Sequence, residues 1–184
     1  MFVVASWALA GCASQGGAAP APTTVNAPTP AAGSPPDHTA AFARLASLEG
    51  DYEAGHDKQG RATVVAFRRI AAGTALEERW TWPSGAAELT VFFLDRDAAG
   101  RGILRATHYC HSGVQSTMTL QDPAPDGELV FRITSATGLA SPEIAHNTGF
   151  GYRFTDVASV RRSEQWTDHG KVTQGDDDLV RRTP

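Results

Sequence analysis

Residues 104–111 read Leu104-Arg105-Ala106-Thr107-His108-Tyr109-Cys110-His111, and the order of small, apolar and polar residues within them carries the fold. In an extended strand successive side chains point to opposite faces, so Leu104, Ala106, His108 and Cys110 share one face while Tyr109 and His111 share the other. The first set holds the apolar positions and is the inner one. A histidine and a thiol therefore stand side by side on the enclosed face of a sheet.

Working outward, the chain repeats this pattern at spacings of about 10 to 14 residues, each run bounded by turn residues. The expected strands are 51–56, 62–70, 75–82, 89–95, 102–111, 114–121, 128–135, 144–155, 159–168 and 171–182. Between them lie Asp57-Lys58-Gln59-Gly60, Ala71-Ala72-Gly73, Pro83-Ser84-Gly85, Asp97-Ala98-Ala99-Gly100, Ser112-Gly113, Pro125-Asp126-Gly127 and His169-Gly170, together with a longer loop over 138–143. Most of these contain the Gly, Asn or Asp that turns with positive φ require. Ten strands in hairpin order predict an all-β, up-and-down antiparallel barrel, because closure removes the edges an open meander exposes. A β-sandwich is the alternative.

Alternation also assigns the inner faces. Leu129, Phe131 and Ile133 point inward against Glu128, Arg132 and Thr134. Leu76, Glu78, Trp80 and Trp82 go inward together, as do Val160, Arg162, Glu164 and Trp166. In the run 144–155 the aromatic set that carries His146, with Phe150, Tyr152 and Phe154, is the inner one. The candidate ligand-binding residues are accordingly His108, Cys110, His146, Trp80, Glu78, Arg162, Glu164 and Trp166. Apolar area for affinity with a few polar groups for orientation is what a small-ligand site needs.

Upstream of the strands the chain changes character. All 16 Lys and Arg and all 20 Asp and Glu among the 184 residues lie from Asp37 onward, so the formal charge of −4 belongs to the folded part and argues against nucleic acid as a partner. Phe2 to Ala10 form a short apolar run that leads into Leu9-Ala10-Gly11-Cys12, which resembles the bacterial lipobox, with Cys12 the lipidated residue. No Lys or Arg precedes the run, which places the true start upstream of Met1. Residues 13–36 are uncharged and dominated by Ala, Pro, Gly, Ser and Thr. They predict a disordered tether, since they cannot bury enough apolar surface to offset the entropy of ordering. The expected organisation is a signal peptide and lipobox over 1–12, a tether over 13–36 and a barrel domain over 37–184. The expected location is the cell envelope, facing the periplasm, with the lipid anchor as the membrane attachment.

The barrel domain opens with a short helix that Asp37 or His38 caps, with apolar positions Ala41, Phe42, Leu45 and Leu48, and that Gly50 stops. Leu48-Glu49-Gly50-Asp51-Tyr52 resembles the opening of calycin barrels, with Tyr in place of the more usual Trp.

Several chemistries fit the interior residues. His108 and Cys110 at i and i+2 can converge on one metal ion, with His146 and Glu164 as further ligands, but no tight ligand spacing supports this and no metal is assigned. An axial imidazole from His108 or His146 would suffice for haem. Cys110 beside His108 also has the composition of an imidazole-activated thiolate. Arg162 with Glu78 or Glu164 reads equally as a structural charge cluster, and Cys110 as a small buried hydrophobe.

Glu77-Glu78-Arg79-Trp80, Leu89 to Asp95, Thr107-His108-Tyr109-Cys110 and Trp166-Thr167-Asp168-His169-Gly170-Lys171 together resemble a family of small bacterial lipocalin-like barrels of unknown function, marked by a Thr-His-Tyr-Cys strand and a closing Trp-x-x-x-Gly-Lys hairpin. The resemblance runs from about Phe42 to Lys171. It departs after the motif, where the family commonly has small and amide residues ahead of a proline and this chain has His111-Ser112-Gly113-Val114-Gln115-Ser116. The resemblance implies a calycin-type fold and no particular activity. Nitrobindin-like barrels of similar outline imply haem as the alternative occupant. The function expected is a lipid-anchored barrel holding a small, mostly apolar ligand, with a haem barrel, an enzyme using the His108/Cys110 pair and a filled interaction module as alternatives.

Overall fold

The computed structural model describes residues 37–121, 127–156 and 158–183. The lipobox and tether lie outside the described residues, as does the Pro125-Asp126 part of one expected turn. One helix, α1 (Thr39–Ala46), precedes ten strands: β1 (Gly50–His56), β2 (Ala62–Ile70), β3 (Ala75–Thr81), β4 (Ala87–Arg96), β5 (Gly102–Tyr109), β6 (Gln115–Leu120), β7 (Leu129–Thr137), β8 (His146–Phe154), β9 (Ser159–Asp168) and β10 (Lys171–Arg181). Each strand pairs antiparallel with the next, and β1 pairs with β10 to close an up-and-down barrel. The closing seam is short. It holds the pairs Tyr52↔Arg181, Glu53↔Val180 and Ala54↔Leu179, with Arg182 N–H donating to the Asp51 carbonyl at 2.8 Å beyond them.

The helix sits at one end, the floor. His38 N–H donates to the Gly102 carbonyl at 3.0 Å, and Leu45 and Leu48 join the main core. Capping falls to Asp37, whose Oδ1 accepts from Thr39 N–H at 2.9 Å and Thr39 Oγ1 at 2.6 Å. The His38 side chain instead takes the Leu104 N–H at Nδ1, at 3.1 Å. Gly50 does not stop the helix, which ends at Ala46. It opens β1 at φ +146, a backbone conformation that side-chain-bearing residues rarely adopt, and the Arg181 guanidinium lies against it.

Strand alternation sorts the core as expected. Leu76, Glu78, Val160, Arg162, Leu129 and Phe131 are all buried, and Trp80 is 8 % exposed. The lower and middle barrel is filled by interlocked rings: Phe92 meets Phe131 at 5.5 Å and Phe150 and Tyr152 at 5.8 Å each. Burying each such side chain stabilises by about 1.5–3 kcal/mol, and edge-to-face pairs add about 0.5–1.5.

Two departures from the expected pattern shape the upper end, or mouth. First, β5 stops at Tyr109. Cys110 N–H donates to Val114 O at 3.0 Å and Gly113 N–H to Cys110 O at 2.9 Å, with Gly113 at φ +87, so Cys110 opens a turn and is not a mid-strand residue. Tyr109 points outward, but His111 is curled back over the rim by the turn and contacts inner residues. Second, a bulge between Asn147 and Gly149 shifts the phase of β8, and a bulge moves every residue on one side of it to the other face. Asn147 pairs with Trp166 and faces inward, whereas His146 pairs with Thr167 and lies on the opposite face. The inward assignment of His146 is thus corrected, and the aromatic residues beyond the bulge keep theirs.

Candidate functional site

The mouth gathers the polar residues of the interior, and the register explains how. Glu78 on β3 pairs with Thr90 on β4, Thr90 with His108 on β5, and His108 with Ser116 on β6, giving a polar row around one side of the wall. Thr90 Oγ1 lies 3.1 Å from His108 Nδ1, and Ser116 Oγ donates to the Asn147 carbonyl at 2.9 Å. From the facing side β9 contributes Arg162, Glu164 and Trp166.

Arg162 is the centre of this arrangement and is 2 % exposed. Its Nε is 3.0 Å from Glu78 Oε1, a second guanidinium nitrogen is 3.3 Å from Glu164 Oε1, and its Nε also reaches Tyr152 Oη at 3.3 Å. The guanidinium carbon lies 4.8 Å from the Trp80 ring centroid. Burial alone would lower the Arg162 pKa, but the charges of Glu78 and Glu164 outweigh it and hold the group protonated. Burial pushes the Glu164 carboxyl up, and the Arg162 charge with a hydrogen bond from Trp166 brings it below its ordinary value. Asp177 on β10 goes the other way. Burial raises its pKa, Arg162 opposes this, and Glu164, Asp176 and Asp178 reinforce it.

A second cluster lies at the rim around Glu88, which pairs with Trp80 across β3 and β4 and is 7 % exposed. Glu88 Oε1 accepts from His111 Nδ1 at 2.7 Å and from the Cys110 thiol at 3.3 Å. Its other oxygen lies 3.6 Å from His108 Nε2. The expected His108/Cys110 pair is therefore bridged by a carboxylate, one oxygen to each partner. Burial pushes the Cys110 thiol up, Ser112 hydrogen bonds pull it down and Glu88 adds to the rise. Burial likewise lowers the His108 pKa, against the opposing charge of Glu88.

Between these clusters lies a cavity of about 140 Å³ lined by Ala54, Thr63, Trp80, Trp82, Glu88, Arg162, Glu164 and Asp177. Ala54 is the last β1 residue in the closing seam, and Asp177 stands on β10 just above it, so the cavity forms where β1 and β10 part. Trp80 and Trp82 flank it with ring centroids 6.3 Å apart. The Trp80 indole N–H is buried and has no hydrogen-bond partner among the described residues. A larger depression of about 260 Å³ at the floor is bounded by Phe42, Leu94 and the exposed Asp95 and Arg96, but no orphaned buried polar group lines it.

Of the expected site residues, Trp80, Glu78, Arg162, Glu164, Trp166, His108 and Cys110 converge on the mouth. His146 does not join them. Its Nδ1 donates to the Ile144 carbonyl at 2.6 Å. Haem does not fit: the aromatic rings fill the barrel, and the mouth cavity is well below the roughly 300 Å³ at the lower end for drug-sized ligands. Sequence reading missed Glu88, Asn147, Asp177 and the inward turn of His111. Glu88 alternates in phase with Thr90 and Phe92, a signal that was available.

No family model matches the chain, and no curated protein matches it. Fold and site together define a closed ten-stranded calycin-like barrel, filled at its floor and polar at its mouth.

Proposed function

We propose that the protein is a lipid-anchored, periplasm-facing barrel that binds a small organic cation at its mouth. Anchoring is supported by Leu9-Ala10-Gly11-Cys12 and the uncharged segment after it. Binding rests on one observation: the mouth cavity is lined by Glu88, Glu164 and Asp177 against a single Arg162, with Trp80 and Trp82 in its wall. Burial raises the Asp177 pKa, and Glu164, Asp176 and Asp178 add to the rise against the opposing charge of Arg162. Two Trp rings beside excess carboxylate suit an ammonium group, through cation–π attraction and charge. The Trp pair also supplies the apolar contact expected of the ligand, which is smaller and more polar than the sequence suggests.

The test is a titration of the full chain with phenyltrimethylammonium and with its neutral isostere tert-butylbenzene, read by tryptophan fluorescence and by melting temperature. Saturable one-site binding of the cation, with a rise in melting temperature by mass action, is expected, and Asp177→Asn should weaken it at least tenfold. Equal binding of the isostere would make the site merely apolar and overturn the cation assignment. No saturable binding of either compound would favour a filled interaction module, the reading that the packed aromatic interior supports.

A further inference from the structure

Glu88, Cys110 and His111 bring a carboxylate oxygen, a thiol sulfur and an imidazole nitrogen to within 4.8 Å of one another. The separations are 2.7 Å from His111 Nδ1 to Glu88 Oε1, 3.3 Å from Cys110 Sγ to the same oxygen, and 4.0 Å from Sγ to Nδ1. Metal bonds of roughly 2.0–2.3 Å to such donors in a tetrahedron put the donor atoms roughly 3.2–3.7 Å apart. The observed triangle needs only small side-chain rotations to match.

We propose that these three residues bind one divalent transition-metal ion of the zinc type, and that His108 positions Glu88 for it. Two further observations point the same way. His108 is 2 % exposed, its Nε2 has no hydrogen-bond partner among the described residues, and it is aimed at the free Glu88 oxygen at 3.6 Å. Thr90 holds the opposite ring nitrogen. This is the arrangement of an outer partner that orients a metal-binding carboxylate. Meanwhile Cys110 Sγ accepts from Ser112 Oγ at 3.0 Å and from Ser112 N–H at 3.5 Å, the support a metal-bound thiolate receives.

The donor set decides the class of ion. Thiolate and imidazole suit zinc and its transition-metal neighbours, whereas magnesium and calcium require oxygen ligands. Three protein ligands leave a fourth position for water or a bound molecule. Glu88 is also a wall of the mouth cavity, so that position adjoins the space where a ligand would sit. The His111 side chain is 63 % exposed and provides the entry path, while Glu88 and Cys110 are enclosed. The site does not depend on the identity of any organic ligand.

The experiment uses the full chain carrying Cys12→Ser, so that Cys110 is the one thiol, and cobalt(II) alone as the probe. A single equivalent should bind with a thiolate-to-cobalt charge-transfer band and the intense visible bands of a tetrahedral ion. Zinc should displace it, and magnesium and calcium should not. Cys110→Ser should abolish the charge-transfer band, and His111→Ala and Glu88→Gln should weaken binding at least a hundredfold. His108→Gln should keep the band but weaken binding roughly 10–100-fold, the usual cost of an outer partner. The exposed His169→Ala should change nothing. Circular dichroism reports whether each variant folds, and His111→Ala, at an exposed position, keeps the test decisive if Glu88→Gln does not. Absence of the band in the parent protein, or unchanged affinity in His111→Ala, would overturn the site whatever the organic-cation titration returns.

Discussion

Arg162 and Glu78 meet at 3.0 Å inside the barrel, with side-chain exposures of 2 % and 0 %. They come from β9 and β3, which are not neighbours in the wall, so the ion pair is a strut across the interior. Removing one partner of a buried pair leaves an uncompensated charge and costs about 3–5 kcal/mol. Arg162→Met should therefore destabilise by about that amount in urea unfolding. The double variant Arg162→Met, Glu78→Gln should recover most of it, and equal losses in the two would show that the strut acts through packing.

Asp177 and Glu164 should give opposite pH signatures. The folded Asp177 carboxyl is raised above its ordinary 3.8, so the fold loses stability as pH rises from 3.8 to the folded value, and the penalty is complete above it. Asp177→Asn should raise the melting temperature at neutral pH, with the gain vanishing below the ordinary value. The folded Glu164 carboxyl is depressed below 4.5, so its contribution is complete above 4.5 and is lost as pH falls through the folded value. Glu164→Gln should lower the melting temperature at neutral pH, and the loss should vanish in acid. Melting curves from neutral pH into the acid range check both, and a lower melting temperature for Asp177→Asn at neutral pH would contradict the first.

Trp80 points inward and Arg79, its neighbour, outward to an ion pair with the half-buried Glu77. Trp80→Ala should cost about 3–5 kcal/mol as a core cavity. Arg79→Ala should cost under about 0.5, as a surface substitution. Comparable losses would reverse the face assignment of β3.

Much of this was legible because the period of a strand is two and most of these strands keep it. His108, Trp80 and Arg162 could be placed inside from the alternation of their neighbours alone. His146 was misplaced because a bulge at Asn147 to Gly149 changes the phase without changing composition: Asn-Thr-Gly reads as ordinary strand. Asp177 gives no sign, since it sits in a run of three aspartates in a strand whose apolar residues, Val172, Leu179 and Val180, show no clean alternation around it. Glu88 falls just outside the strand expected from Leu89, whereas β4 begins at Ala87. The gathering of His111 and Cys110 about Glu88 depends on a turn whose curl no side-chain pattern encodes.

Lipid anchoring has its own test. Expressed in a Gram-negative host, the protein should partition into detergent and incorporate labelled palmitate, and Cys12→Ser should do neither. Equal labelling of both forms would exclude Cys12 as the acylated residue.

An even number of antiparallel strands returns the chain to the end from which it set out. Asp37 enters beside the β4–β5 turn at the floor, and Arg181 leaves there too, paired with Tyr52. Whatever holds this barrel by either terminus therefore grips it from below, like the stem of a cup. The rim with its tryptophans and carboxylates is presented away from the support, and a surface that holds the barrel at Asp37 or Arg181 leaves the opening free for whatever diffuses past.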